Sequence, residues 1–126
     1  VGGHSRAALR RTARFGVAWH PINRPPAELR AGRAELARLC AESGRAAPPA
    51  LTLRNDIRLV RPGESAPGST HGGRVLAGEP ARLVEQIAEL AECGVEHLVL
   101  EFLAADGREL DEQMVAFAER VRPKLA

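Results

Sequence analysis

The stretch "LAGEPARLVEQIAELAECGVEHLVLEF" at residues 76–102 decides the fold class of this chain. A helical pattern follows its proline, with apolar positions three and four residues apart: Leu83, Ile87, Leu90 and Ala91. Gly94 ends that pattern, and the short apolar run 97–102 predicts a buried strand. A helix joined by a short turn to a buried strand is the repeating unit of parallel α/β sheets, so we expect that class of fold.

The same alternation of helix and strand extends upstream. Ser5 is suited to cap a helix that runs from Arg6 to about Phe15, where a glycine stops it. The apolar run 17–20 then predicts a buried strand. A second helix begins at the proline pair 25–26, because proline at the first turn gives up no needed hydrogen-bond donor.

The segment 51–60 has β-type alternation at both ends, which predicts one strand that runs out into a loop, or two short strands. Residues 61–77 are rich in Gly, Pro and Ser and predict a long loop, which in a compact domain is usually functional or mobile. A last helix is predicted over 109–125. Its expected core-facing residues are Leu110, Met114, Val115, Phe117, Ala118 and Val121.

About three parallel strands and four helices are therefore expected, in a single domain over residues 1–126. Three strands cannot close a barrel. They fit an open doubly wound sheet or a part of an eight-stranded (β/α) barrel, and the pattern of the residues alone does not separate these two architectures.

Composition excludes several classes of function. The 126 residues carry 18 Lys and Arg against 16 Asp and Glu, and a net charge of +2 spread along the chain argues against a nucleic-acid partner. No apolar run approaches the roughly 18 residues that span a bilayer, and no signal peptide is evident, so we expect a cytoplasmic protein with no membrane segment. Cys40 and Cys93 lie inside predicted helices without metal-ligand spacing, which predicts reduced, buried thiols.

The first candidate site is a glycine-rich turn that feeds the first helix: Gly2, Gly3, His4 and Ser5. Such a turn exposes backbone N–H groups at a positive helix end, and a serine hydroxyl adds a donor, so its chemistry is that of a phosphate site. The alternative is an ordinary capped turn. The second candidate is the pair Trp19 and His20 at a strand's carboxyl end, where α/β folds bind ligands. Its alternative is a core tryptophan beside a surface histidine.

Two weaker candidates lie downstream. Gly78 and Glu79 stand at a helix start, but the carboxylate of Glu79 opposes an anion there, which favours a structural role. Glu101 and Asp106 follow the last strand without a paired base at a readable spacing. The histidines and cysteines form no metal motif, and no catalytic residue can be assigned from the pattern.

The run "GGHSRAALRRTARFGVAWHPI" and the stretch at 76–102 resemble, in this order, segments of the luciferase-like monooxygenase family, within its branch of oxidoreductases that depend on the deazaflavin coenzyme F-420. Members are (β/α)-eight barrels of more than twice this length, so the resemblance implies the C-terminal portion of such a barrel. Two departures are Val17, where the family has Asp, and Glu79, where it has Thr.

The resemblance implies an enzyme of redox chemistry with coenzyme F-420, or alternatively FMN, and a small organic substrate. It implies that the 2–5 loop contacts the cofactor phosphate and that Trp19 and His20 line the mouth of the barrel. The segment alone is expected to have little or no catalysis. Two other functions stay open: a non-catalytic half-barrel that pairs with a second copy or another subunit, and an independent α/β domain that binds a phosphorylated ligand.

Overall fold

The computed structural model describes residues 1–69 and 71–125, which form helices α1–α4, strands β1–β4 and a short 3-10 helix. In chain order these are α1 Arg6–Phe15, β1 Ala18–Trp19, α2 Pro26–Glu42, β2 Ala50–Leu59, β3 Leu76–Gly78, α3 Pro80–Glu92, β4 Val95–Phe102, α4 Gly107–Arg120 and the 3-10 helix Arg122–Lys124.

Strand β2 is the centre of a parallel sheet. Its Leu51 pairs with Trp19 of β1 on one edge and with Val95 of β4 on the other. Further along, Ile57 pairs with both β3 and β4. Strands β1 and β3 therefore follow one another along the same edge of β2, and β4 lies along the opposite edge.

The sheet has a further parallel position at its first edge, because Gly2 forms a bridge with His20. Across the sheet, these positions lie in the order Gly2, β1, β2, β4, which is also their order along the chain. A doubly wound sheet reverses its strand order at a switch point, whereas successive barrel strands do not. The chain therefore folds as a segment of a (β/α) barrel, which confirms the predicted α/β class with its parallel sheet and four helices.

The hydrophobic core lies between the sheet and the helices. Alternate residues of β2 point into it: Leu51, Leu53, Ile57 and Leu59. The intervening residues point to the opposite face, which no described helix covers: Thr52, Arg54, Asp56 and Arg58. In a closed barrel this second face is the interior, and it is polar here. Both cysteines are free and buried, as predicted.

Three expectations need correction. The segment 51–60 forms one long strand. The predicted strand 17–20 is only Ala18–Trp19, and the side chain of Val17 is 86% exposed because it lies at the rim where the chain has just left α1. The predicted loop 61–77 ends early, since Leu76 and Ala77 already pair with β2.

Most of the α4 residues that the sequence predicts to face the core are exposed instead. Gln113 donates from Nε2 to the Leu59 carbonyl (3.0 Å) and accepts the Leu59 N–H at Oε1 (2.8 Å), which fixes the rotation of the helix. Val121, two turns later, is buried as predicted, and Phe117 packs at the core boundary. Because each residue turns a helix by about 100°, the neighbouring stripe points outward. That exposed stripe comprises Leu110, Met114, Val115 and Ala118.

Candidate functional site

The 2–5 loop is fastened to the carboxyl end of β1. The His20 N–H donates to the Val1 carbonyl (2.8 Å), and the indole Nε1–H of Trp19 donates to the Gly3 carbonyl (2.7 Å). Gly3 has φ +89°, a left-handed conformation that favours glycine. The structure thus brings Gly2, Gly3, Trp19 and His20 together, whereas the residue pattern alone gives them as two separate candidate sites.

Ser5 begins α1 and leaves hydrogen-bonding capacity facing outward. Its Oγ accepts the Ala8 N–H (3.2 Å), so the hydroxyl proton stays available to a ligand. The first intrahelical bond joins the Leu9 N–H to the Ser5 carbonyl. Within residues 1–69 and 71–125, the backbone N–H groups of Arg6 and Ala7 have no acceptor, which is the usual state of a helix start that can receive an anion.

Charge around this helix start favours an anion. The first turn of α1 has no acidic residue, and the exposed arginines Arg6 and Arg10 follow the loop. The nearest carboxylate to Arg6 is Glu35, at 3.9 Å from the guanidinium Nε, and that contact is weak at such exposure. The residues present therefore fit a phosphate group.

A cavity of about 250 Å³ adjoins the loop. It is lined by His4, Leu9, Trp19, Arg24, Glu28, Ala31 and Gly32. His4 stands at its rim, whereas Trp19 is only 1% exposed and forms the floor beneath α2. A Cβ atom at Gly32 would lie 2.1 Å from the Trp19 ring, so this glycine makes room for the indole. Trp19 therefore supports the loop from below.

His20 lies half-buried at the edge of the barrel-interior face. Its Nδ1 is 2.7 Å from the Thr52 hydroxyl. Burial lowers the pKa of His20 below its usual value of 6.5, and nearby cationic groups, among them Arg54, lower it further. The ring is thus neutral at neutral pH and presents one donor and one acceptor nitrogen.

A buried polar network lies at the same end of the sheet, and the sequence analysis does not identify it. Asn23 donates from Nδ2 to Asp56 Oδ2 (3.0 Å) and to Ser69 Oγ (2.7 Å), and its Oδ1 accepts the Asp56 N–H (2.7 Å). Asn23 has φ +51°, which asparagine tolerates better than most residues. The only signal in the sequence is Asn55, a polar residue at a position of β2 where the alternation Leu51, Leu53, Ile57, Leu59 predicts an apolar one, followed by Asp56.

This network ties the long loop to the sheet. The Ser69 hydroxyl donates to Asp56 Oδ2 (3.0 Å), and the Arg74 N–H donates to the Asn23 carbonyl (2.8 Å). Asp56 Oδ1 is buried without a partner among the described residues. The loop is therefore anchored at its far end.

A second cluster, made of Arg58, Glu64 and Glu109, fixes the beginning of the long loop that follows β2. Arg58 pairs with Glu64 of the loop (2.6 Å) and with Glu109 of α4 (2.7 Å). The hydrogen bond to Glu109 raises the pKa of Arg58, and the hydrogen bond from Arg58 lowers the pKa of Glu109. These groups are engaged with each other, so their role is to fix the loop.

The weaker candidate residues, Gly78, Glu79, Glu101 and Asp106, lie at helix starts or in an ion pair of the sheet. Glu79 precedes α3 without a capping side-chain bond, and Gly78 packs against Arg82. Glu101 pairs with Arg54 across the sheet. Asp106 caps α4 by accepting the Glu109 N–H (2.9 Å). None of them joins the 2–5 loop.

Two further properties concern the described part of the chain. It contains no group of three or more His, Cys, Asp or Glu side chains placed to hold a metal ion. None of its helices has the length and apolar character needed to cross a bilayer.

Comparison with known proteins supports the fold. No protein-family model matches the chain, and no curated protein matches it in sequence. Among solved structures, it is similar to an F420-dependent secondary alcohol dehydrogenase in complex with an F420-acetone adduct, with a TM-score of 0.73 over 99% of this chain and 10% sequence identity. The chain spans 48% of the length of that protein. The likeness shows a partial TIM-barrel-like architecture.

Proposed function

We propose that this chain supplies the carboxyl-terminal half of a luciferase-like, deazaflavin-dependent oxidoreductase, and that its 2–5 loop holds the phosphate of the cofactor. One observation carries the proposal. The loop presents two unpaired backbone N–H groups and a serine proton at the carboxyl edge of a parallel sheet, where barrels bind ligands. The F420-dependent fold neighbour supports the choice of cofactor.

Three residues of the loop, Gly2, Gly3 and Ser5, have separate tasks. The left-handed turn at Gly3 directs the chain into α1, and Gly2 lets the backbone approach a phosphate closely. Ser5 donates its hydroxyl proton to a phosphate oxygen while its Oγ still caps the helix. The N–H groups of Arg6 and Ala7 point the same way and carry the positive end of the helix dipole.

The ring of the cofactor would lie toward the mouth of the barrel, next to His20. A reduced deazaflavin supplies a hydride to the substrate when it is bound, and FMN, the alternative cofactor, supplies oxygen activation in its place. The neutral imidazole of His20, held by Thr52, offers one hydrogen bond to a ligand at this edge. Trp19 holds the loop through the Gly3 carbonyl.

Catalysis needs more of the pocket than this chain contains. A (β/α)-eight active site takes residues from the ends of many strands, and this chain contributes four of the eight strand positions. We therefore expect cofactor binding at micromolar or weaker affinity and negligible turnover from the chain alone. The substrate is a small organic molecule in this proposal.

A fluorescence titration with coenzyme F-420 and FMN tests the proposal. Ser5→Asp is the sharpest variant, because aspartate caps a helix as well as serine and repels a phosphate. We expect Ser5→Asp to weaken binding by about tenfold or more at unchanged helix content by circular dichroism. Ser5→Thr retains both the cap and the proton and should bind as the parent does. Equal binding by all three proteins would refute the phosphate site.

A further inference from the structure

Three polar side chains stand in one row across the barrel-interior face of the sheet. The pairing of β1 with β2 sets His20 beside Thr52, and the pairing of β2 with β4 sets His97 on the other side of Thr52. The row points away from the hydrophobic core, because its neighbours along each strand pack into that core. These side chains therefore border the interior of the barrel at one level.

The Thr52 hydroxyl has one proton and two acceptors to choose between. Its Oγ1 lies 2.7 Å from His20 Nδ1 and 3.3 Å from the carbonyl oxygen of Trp19. Hydrogen bonds from a hydroxyl to an oxygen are about 2.5–3.0 Å long, so the carbonyl lies beyond a good bond. The imidazole nitrogen lies within one. The hydroxyl proton therefore belongs to the bond with Nδ1.

The surroundings of His20 keep its ring neutral at neutral pH. Burial lowers the pKa of His20 most, and the Val1 amino group, His97 and Arg54 lower it further. Glu101, on the same face, is paired with Arg54, and no carboxylate among the described residues forms an ion pair with the imidazole. A neutral imidazole carries one ring proton, and a nitrogen that accepts a hydrogen bond does not hold it. The ring proton is therefore on Nε2.

Nε2 lies at the tip of the His20 side chain. The Nδ1 side of the ring faces Thr52 on the sheet, so the tip points away from β2 and toward the barrel interior. Within residues 1–69 and 71–125, Nε2 has no hydrogen-bond acceptor. The tip is thus a donor without a partner in this part of the chain.

We propose that Thr52 is a positioning residue that makes His20 a hydrogen-bond donor toward the barrel interior, where it takes a carbonyl or carboxylate oxygen of a ligand. An ammonium group is excluded from this position, because two donors would face each other. The placement of the ring proton involves only residues of β1 and β2. The ligand class deepens the proposed function and rests on it, since the cofactor ring and a carbonyl substrate are the two sources of such an oxygen.

The pKa of His20 tests the direction of the Thr52 bond. A hydroxyl that donates to Nδ1 stabilises the neutral ring, so Thr52→Val should raise the pKa of His20 by about 0.5–1. The methyl group that replaces the hydroxyl is apolar and favours the neutral ring, so burial cannot cause such a rise. If Thr52 instead accepted from an Nδ1–H group, Thr52→Val would lower the pKa, because that bond is stronger with the charged ring.

Side-chain ¹⁵N spectra of the labelled chain measure this pKa and show which ring nitrogen carries the proton at about pH 8, where the ring is neutral. We expect the proton on Nε2 in the parent, a measurement that needs no variant. Thr52→Ser keeps the hydroxyl and should leave the pKa of His20 within about 0.2 of the parent value.

Thr12→Val is the matched control. It removes the hydroxyl of another buried threonine, whose Oγ1 donates to the Ala8 carbonyl (2.9 Å), and it should leave the His20 ring unchanged. A proton on Nδ1 in the parent would overturn the proposal. So would a pKa of His20 that falls or stays constant in Thr52→Val.

Ligand titrations in the same spectra identify the source of the oxygen. FMN carries ring carbonyls and a phosphate, acetone carries only a carbonyl, and inorganic phosphate carries no carbonyl. We expect FMN to shift the Nε2 signal, and inorganic phosphate to shift only the amides at the start of α1. A shift of Nε2 with acetone alone assigns the oxygen to a carbonyl substrate.

The same titrations separate this inference from the proposed function. If FMN shifts the amides at the start of α1 while Nε2 responds to neither FMN nor acetone, the ligand class is wrong and the phosphate site stands. If neither place responds at millimolar ligand, both the ligand class and the phosphate site are wrong.

Discussion

Gly32 and Trp19 determine how closely α2 approaches the sheet. The indole occupies the space that a side chain at position 32 would fill, and the same indole holds the Gly3 carbonyl of the candidate site. The packing of one helical glycine is therefore coupled to the geometry of the 2–5 loop.

Gly32→Ala is expected to destabilise the protein by about 1–3 kcal/mol, because the new methyl group would overlap the ring and force it or the helix to move. Urea denaturation measures the change in the free energy of unfolding. Gly68→Ala is the control, since a Cβ there meets nothing within 4 Å. A stability loss of the same size in both variants would show that the indole contact is not the cause.

His20 makes stability depend on pH. Its folded-state pKa lies below the unfolded value of about 6.5, so the unfolded chain binds the proton more readily. The contribution of His20 to stability is therefore full above pH 6.5 and is lost as the pH falls through the folded-state pKa. His20→Gln should flatten the fall in stability between about pH 6.5 and 5, measured by urea denaturation across the range. A slope that is unchanged in the variant would contradict the assignment to His20.

At the scale of the elements, the junction of α4 with the sheet shows where sequence pattern succeeds and fails. The apolar spacing predicts a helix over 109–125; α4 forms over Gly107–Arg120, and the predicted last turn is instead the 3-10 helix Arg122–Lys124. The pattern also predicts the wrong face, because a single amide, Gln113, completes the hydrogen bonding of Leu59 and fixes the rotation. An apolar stripe therefore predicts that a helix forms, but it does not determine which face of that helix packs against the core.

The two buried glutamines offer a matched pair of variants. Gln113→Met would leave the N–H and C=O of Leu59 without partners, and we expect a loss of about 2 kcal/mol or more. Gln86 is also buried, but its Oε1 has no partner among the described residues, so Gln86→Met should be neutral or stabilising. Chemical denaturation of the two variants compares them directly. A greater loss from Gln86→Met would contradict the bonding described for α4.

The candidate site likewise contains parts that sequence patterns predict and parts that they do not. Local patterns predict the 2–5 loop, its helix and the nearby His20, because a glycine turn followed by a serine cap is a short-range signal. The network of Asn23, Asp56 and Ser69 joins residues 13 to 46 positions apart, so no spacing rule indicates it. Strand order, which distinguishes a barrel segment from a doubly wound sheet, depends on long-range pairing, so the local pattern of residues does not determine it.

At the scale of the whole molecule, the fold explains why the exposed apolar and charged residues are unevenly distributed over the surface. On the outer side of the sheet, helices cover the hydrophobic core. On the inner side, the charged residues of β2 contact other residues of the same chain. Large exposed apolar side chains lie on the first and last α-helices, among them Phe15 and Met114. A segment of a (β/α) barrel, with helices on one face of a parallel sheet and the barrel interior on the other, has this distribution.

Whether an anion binds at the start of α1 is tested most directly by amide chemical shifts in a ¹⁵N-labelled chain titrated with FMN and, separately, with inorganic phosphate. We expect the largest shifts on the backbone amides of Gly3, Arg6 and Ala7, and we expect Ser5→Asp to abolish them. Shifts centred on the first turn of α3, or no shifts at the start of α1 at millimolar ligand, would contradict it.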